Sequence, residues 1–305
     1  MTSKIACAKF VSAERPMNWL IYILARAVVA VIQALPLVWV ARLGRAAGAL
    51  AFQLDARHRN VVLKNLTLCF GGEKPAAEIH GIARENFRRI GENFASAVKT
   101  AVMSPAALHP HVEFSGAENI LPPATGAAVP SRVMAIGHFG NFELYARFGQ
   151  YVPAFKCATT YRALKQPALN RLMVALRERS DCRYFERRTD GAALKAAMSD
   201  TGLLLGLLAD QSTKGVRIPF LGHACDTSTA PAVFALRYHC PLHTAICYRV
   251  SLAKWRIEIG GEIPTHENGH ARAIEAIMRD VNGAFETAVR RDPANWFWVH
   301  RRWKN

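Results

Sequence analysis

The sequence predicts an α/β protein. A mostly parallel central sheet flanked by helices should follow an N-terminal membrane-associated helix and a further helical segment. Three observations carry this. From about residue 130 short apolar runs alternate with amphipathic stretches, the texture of strands spaced by crossover helices. Upstream of residue 110 the apolar residues recur at helical spacing. Between Trp19 and Val40 the chain is almost continuously apolar.

The predicted strands are Arg132–Gly137, Phe155–Tyr161, Cys182–Glu186, Gly202–Ala209, His243–Val250 and Trp255–Ile259. The helices between them are Gln166–Arg179, Gly191–Asp200 and Ala230–Tyr238. A last amphipathic helix spans roughly Ala271–Arg290, with Ile274, Ile277, Met278, Val281 and Phe285 on one face and Asp292-Pro293 as its stop. Upstream, Ile79, Ile82, Phe87, Ile90, Phe94, Val98 and Val102 mark one more amphipathic helix, bounded by Gly71-Gly72 and Ser104-Pro105. We divide the chain into an N-terminal membrane-associated helical segment, 1–55, and an α/β domain, 56–305.

The apolar stretch is long enough to cross a bilayer, yet Arg26, Gln33 and Pro36 interrupt it. Arg26 and Gln33 share a helical face with Tyr22. The stretch is a tilted span whose polar face packs on protein, a helix lying in the interface plane, or a buried core helix of a soluble protein. Lys4, Lys9 and Arg15 precede it and Arg42, Arg45, Arg57 and Arg59 follow it, so charge gives no orientation. The first eighteen residues do not read as a secretory signal peptide.

The formal net charge of +16 implies anionic company, whether nucleic acid, a membrane surface, an acidic protein or a phosphorylated substrate. The seven cysteines are odd in number and lack Cys-x-x-Cys spacing, so they read as buried or free thiols in a reducing compartment, with no metal site. No nucleotide fingerprint or phosphate-binding loop is present, and no cofactor is expected. There is no Gly-x-Ser-x-Gly elbow either.

Ligands of open α/β sheets bind at the carboxyl ends of strands. Three polar groups fall there. His138, followed five residues on by Glu143, comes after the first strand. Tyr161-Arg162 ends the second. Asp210-Gln211 ends the run Gly202–Ala209. A histidine held by a nearby carboxylate can deprotonate a hydroxyl that the substrate itself brings, with no protein nucleophile. Basic residues crowd the same region from Arg162 to Arg188; most read as a solvated helix face, and some as guanidinium groups that clamp phosphates. The run Trp296–Lys304 mixes aromatics with cations. It reads as packed on the core, as a headgroup-level patch, or as a nucleic-acid surface, though no nucleic-acid-binding motif accompanies it.

Six ordered blocks carry a resemblance. They are Arg57–Phe70, His138–Glu143, Tyr161-Arg162, Leu208–Gln211 with Ile218–Gly222, Thr229–Pro231, and Trp296–Lys304. Together they resemble the bacterial lipid A biosynthesis (lauroyl/myristoyl) acyltransferases of the lysophospholipid acyltransferase superfamily, along the whole chain. The resemblance implies an O-acyltransferase moving a fatty acyl chain from acyl carrier protein, or acyl-coenzyme A, to a hydroxyl of an anionic glycolipid, a lipid A precursor. It implies the cell inner membrane as location, with the catalytic domain on the cytoplasmic face and nucleic acid not a partner. It casts His138 as base, Glu143 as the carboxylate that orients the imidazole, and Arg177 and Asp210 as further catalytic residues. Arg162 and Arg188 are candidate phosphate contacts, and Gln211 is a further substrate-binding candidate. A lysophospholipid or aminolipid acyltransferase is the alternative enzyme. A non-catalytic membrane- or nucleic-acid-binding protein is the alternative class.

Overall fold

The computed structural model describes residues 16–121 and 129–304, with side chains from Asn18 onward. Lys4, Lys9, Arg15 and Cys7 lie outside the described residues. The helices are α1 (Pro16–Ala34), α2 (Leu37–Leu54), α3 (Ala56–Phe70), α4 (Ala76–Thr100), α5 (Pro105–Leu108), α6 (Pro167–Arg177), α7 (Gly191–Met198), α8 (Ala230–Arg237) and α9 (Ile274–Arg291). The strands are β1 (Val112–Ser115), β2 (Arg132–Ile136), β3 (Lys156–Tyr161), β4 (Arg183–Glu186), β5 (Leu203–Leu208), β6 (Val216–Phe220), β7 (His223–Thr227), β8 (Leu242–Ser251) and β9 (Lys254–Ile263), with a small hairpin of His266–Glu267 and His270–Ala271 after them.

The central sheet has seven strands in the order β1-β9-β8-β2-β5-β3-β4. Every neighbouring pair in it is parallel except the β8–β9 hairpin. The central strands β2, after its first residue Arg132, and β5 are apolar because helices or loops cover both faces. Alternation on β2 sorts its side chains into the two halves of the core. Val133 and Ala135 join Leu66, Phe87, Phe285, Trp296 and Trp298 on one face. Met134 and Ile136 join Phe148, Leu204, Ile257 and Ile259 on the other.

The Trp19–Val40 stretch is two helices, not one. Leu35-Pro36 separates α1 from α2, as the missing N–H and fixed φ of proline favour. No helix among the described residues is long and apolar enough to cross a membrane. On α1, Tyr22 and Gln33 turn toward the protein. Arg171 lies 5.2 Å over the Tyr22 ring, Gln33 Nε2 donates to the Val98 backbone carbonyl at 3.4 Å, and Lys99 Nζ donates to the Gln33 backbone carbonyl at 2.6 Å. Trp19, Leu20, Leu24, Val28 and Val31 are exposed on α1, as are Trp39, Leu43, Leu50 and Leu54 on α2.

The buried face of α2 is held tightly to α4. A Cβ at Gly48 would stand 2.1 Å from the Phe87 carbonyl oxygen, and one at Gly91 2.1 Å from that of Gly44. Only hydrogen fits between these backbones. Beside this contact the fully buried Glu92 accepts from Arg45 at 3.2 Å, from Arg249 at 2.8 Å and from the Ala253 N–H at 3.0 Å. Such partners compensate the cost of taking a carboxylate out of water. The network ties α2 and α4 to the β8–β9 hairpin.

Candidate active site

β2 and β5 lie side by side in register, with Ile136 opposite Leu208. Two residues beyond those ends stand His138 and Asp210. Strand pairing therefore sets them level with each other although 72 positions separate them. Asp210 Oδ1 meets His138 Nδ1 at 2.8 Å, and Asp210 Oδ2 accepts from the His138 backbone N–H at 2.8 Å. Trp296 Nε1 donates to the same Oδ2 at 2.8 Å. The Asp210 carboxylate is fully buried. Burial alone would raise its pKa, but the His138 imidazole and three hydrogen bonds more than offset that and hold it below the ordinary carboxylate range. Nδ1–H of the imidazole donates to the ionised Asp210 in the tautomer this pairing favours, which leaves the lone pair on Nε2.

The carboxylate that touches the imidazole is thus Asp210, not Glu143. Residues Phe142–Gln150 form a 3-10 helix that swings Glu143 away from the histidine. Arg177, at the end of α6, grips Glu143 bidentately, Nε to Oε2 at 3.1 Å and Nη2 to Oε1 at 2.5 Å. Arg177 also lies over the rings of Tyr184 at 5.4 Å and Tyr161 at 5.9 Å. Proximity in sequence suggested one dyad. The fold makes two pairs, His138–Asp210 and Glu143–Arg177.

The loop between β2 and the 3-10 helix is braced from behind by the C-terminal run. Gly140 N–H donates to the Asn295 carbonyl at 3.0 Å, and Phe297 N–H to that of His138 at 3.1 Å. Gly140 has φ +51°, and a Cβ there would stand 2.5 Å from the Cys247 carbonyl, so the turn needs glycine. The aromatics of Trp296–Lys304 are not a headgroup-level patch: Trp296, Trp298 and Arg302 are fully buried. Asn65 of α3 donates to the carbonyls of Trp298 and His300 at 2.9 and 2.8 Å, and Asn86 of α4 to those of Ala294 and Trp296 at 2.9 and 2.5 Å. Two early helices therefore hold the late segment that holds the histidine loop.

His300 belongs to the same frame. Its Nε2 accepts the Ser212 N–H at 3.0 Å, two residues past Asp210. Burial, the largest influence, pulls the imidazole down from 6.5 to about 4. Between those values the folded form binds fewer protons than the unfolded one, so stability should fall as pH drops from 6.5 toward 4. In urea titrations, the stability advantage of wild type over His300→Asn should shrink steadily across that window. A constant advantage would mean that His300 does not report on this contact.

The remaining candidates sit at the same sheet edge. Arg162 follows β3 and Arg188 follows β4, whose ends pair at Tyr161 and Glu186. Both arginines are exposed. Gln211 is half-buried just past Asp210. The described cysteines are buried free thiols, and Cys157 and Cys182 line an apolar chamber beside the site. Burial pushes Cys157 up to about 12, which leaves it inert as a nucleophile.

The family model described as "Bacterial lipid A biosynthesis acyltransferase" matches residues 8–305. The chain belongs to that family. It is an acyltransferase of lipid A biosynthesis. No curated protein matches the chain. Membership gives the blocks of this acyltransferase a shared physical meaning. The Asp-Gln block supplies the carboxylate under His138, and the closing block supplies the tryptophan that fixes that carboxylate.

Proposed function

We propose that this acyltransferase moves a fatty acyl chain from an acyl carrier protein thioester to a hydroxyl of a lipid A precursor at the cytoplasmic face of the inner membrane, with His138 as general base. The observation that carries this is the imidazole at the carboxyl edge of the sheet, paired at Nδ1 with the buried Asp210, whose carboxyl is held below the usual range. Nε2 takes the acceptor proton as the hydroxyl oxygen attacks the thioester carbonyl carbon. Asp210 stabilises the imidazolium that forms. The tetrahedral intermediate then collapses, the C–S bond breaks, and the imidazolium returns the proton to the departing thiolate. A C–O bond has replaced a C–S bond with no change of oxidation state.

Two surface features support the location and the donor. The exposed apolar side chains of α1 and α2 suit a helix pair lying in the headgroup region, with basic residues beside them for anionic lipid. Acyl carrier protein is acidic, and the net charge of +16, with Arg162 and Arg188 exposed near the site, would steer it. Charge steering fades with ionic strength. With purified enzyme and mass detection of the acylated product, the KM for acyl carrier protein donor should climb steeply from low to physiological salt. Acyl-coenzyme A should be a poorer and less salt-sensitive donor. Equal efficiency with both donors at every salt concentration would remove carrier-protein docking while leaving the chemistry of His138 standing.

A further inference from the structure

Two arginines border one apolar cleft, and only one of them has a counter-charge. The cleft lies between α1, α4 and α6, walled by Val29, Ala97, Leu169, Leu172 and Leu176, with about 1170 Å³ of empty space, its mouth included. Arg177 and Arg147 both border it. Glu143 answers Arg177 with two hydrogen bonds. Arg147 comes from the 3-10 helix that follows the histidine loop and is only 5% exposed. Its Nη1 donates to the Ala101 carbonyl at 3.2 Å and its Nη2 to the Met103 carbonyl at 2.6 Å. Those carbonyls lie at the C-terminal end of α4 and offer only partial negative charge. Among the described residues no carboxylate forms an ion pair with Arg147, and its buried Nε has no hydrogen-bond partner. Burial, the largest influence, pulls the guanidinium below its ordinary pKa, and Tyr151, Asp181 and Tyr184 do not make up the difference.

We infer that this cleft is a binding site for a free fatty acid, whose carboxylate pairs with Arg147 and whose chain lies between α1, α4 and α6. The charges are complementary. With Glu143 and Arg177 paired, the border of the cleft holds one uncompensated cation and takes one anion. The walls decide what carries that anion. A small soluble anion would leave the leucine and valine surfaces unfilled. A phospholipid would bring a second chain and a polar headgroup that those surfaces cannot hydrogen-bond. A single chain ending in a carboxylate satisfies both the cation and the walls. Its route is short, because α1 forms one wall and exposes Leu20, Leu24, Val28 and Val31 on its outer face. A free acid has no thioester to break, so it is not the donor of the reaction above but a separate ligand. The site stands or falls by binding, whatever the fate of the acyl-transfer reading.

The experiment measures equilibrium binding of radiolabelled laurate and dodecanol to the full-length enzyme held in amphipol at neutral pH. The two probes share a chain and differ in the headgroup. Wild type should bind laurate about tenfold or more tightly than dodecanol, the scale of one hydrogen bond to a charged group in a desolvated site. Arg147→Gln keeps a donor for the α4 carbonyls and loses the charge, so it should bring the two Kd values together. Leu172→Trp fills the cleft from a half-buried position and leaves Arg147 in place. It should bind one laurate fewer per chain than wild type, whatever binds elsewhere on the molecule. Equal Kd values in wild type would overturn the assignment. So would an undiminished laurate count in Leu172→Trp, or an acid preference that survives in folded Arg147→Gln. If Arg147→Gln does not fold, the wild-type comparison and Leu172→Trp still decide the matter.

Discussion

His138→Ala enzyme is expected to bind donor and acceptor and to transfer almost nothing, with a loss in kcat of about 10²–10⁴-fold, the scale of a positioned general base. The imidazole stands at the end of β2 with half its hydrogen bonding already fixed by Asp210. In the proposed mechanism, removing it takes away the group that accepts the acceptor proton and later returns it to the thiolate. The ring also packs against Phe142 and Phe297, at 4.9 and 5.8 Å between centroids. Truncation therefore leaves a small space, and the remaining frame should stand. The loop is still held by backbone bonds from Gly140 and Phe297, which do not use the side chain. Circular dichroism near that of wild type, with steady-state turnover at background, would match this mechanism. Near-normal turnover by the purified variant would remove His138 from the mechanism.

Much of the fold was written in the sequence, for reasons that can be named. β2 and β5 are buried on both faces and so read as short unbroken apolar runs, and α4 and α9 carry apolar stripes at helical spacing. β1 was missed because it is a short edge strand, Val-Glu-Phe-Ser, that buries only one residue fully. The β6–β7 hairpin was missed because Pro219 breaks the strand pattern and its residues read first as a family block. The Trp19–Val40 stretch read as one element because composition outweighed a single proline, and Pro36 decided otherwise.

The site was half visible. His138 and Asp210 could both be placed at strand ends from their position after apolar runs. Which carboxylate serves the histidine could not be read that way. It depends on β2 and β5 being neighbours with β3 and β4 to one side, a crossover that no local pattern encodes. Sequence proximity favoured Glu143 for want of that information. Trp296 was invisible as a site residue, since nothing in an aromatic-basic run says that one indole will reach a buried aspartate at 2.8 Å.

Asp210, and not Glu143, holds the imidazole. Asn in place of Asp210 keeps the shape and one accepting oxygen, but it presents an N–H group where Nδ1 needs an acceptor. The ring would then shift its proton to Nε2, the wrong nitrogen for a base. The same substitution beside the histidine of serine proteases costs about 10⁴-fold in kcat, and a comparable loss is expected here. The direct measurement is ¹⁵N NMR of the His138 ring in wild type, Asp210→Asn and Glu143→Gln, paired with turnover. The Nδ1–H tautomer is expected in wild type and in Glu143→Gln, and its loss only in Asp210→Asn. A wild-type tautomer in Asp210→Asn, with the change appearing in Glu143→Gln instead, would contradict it.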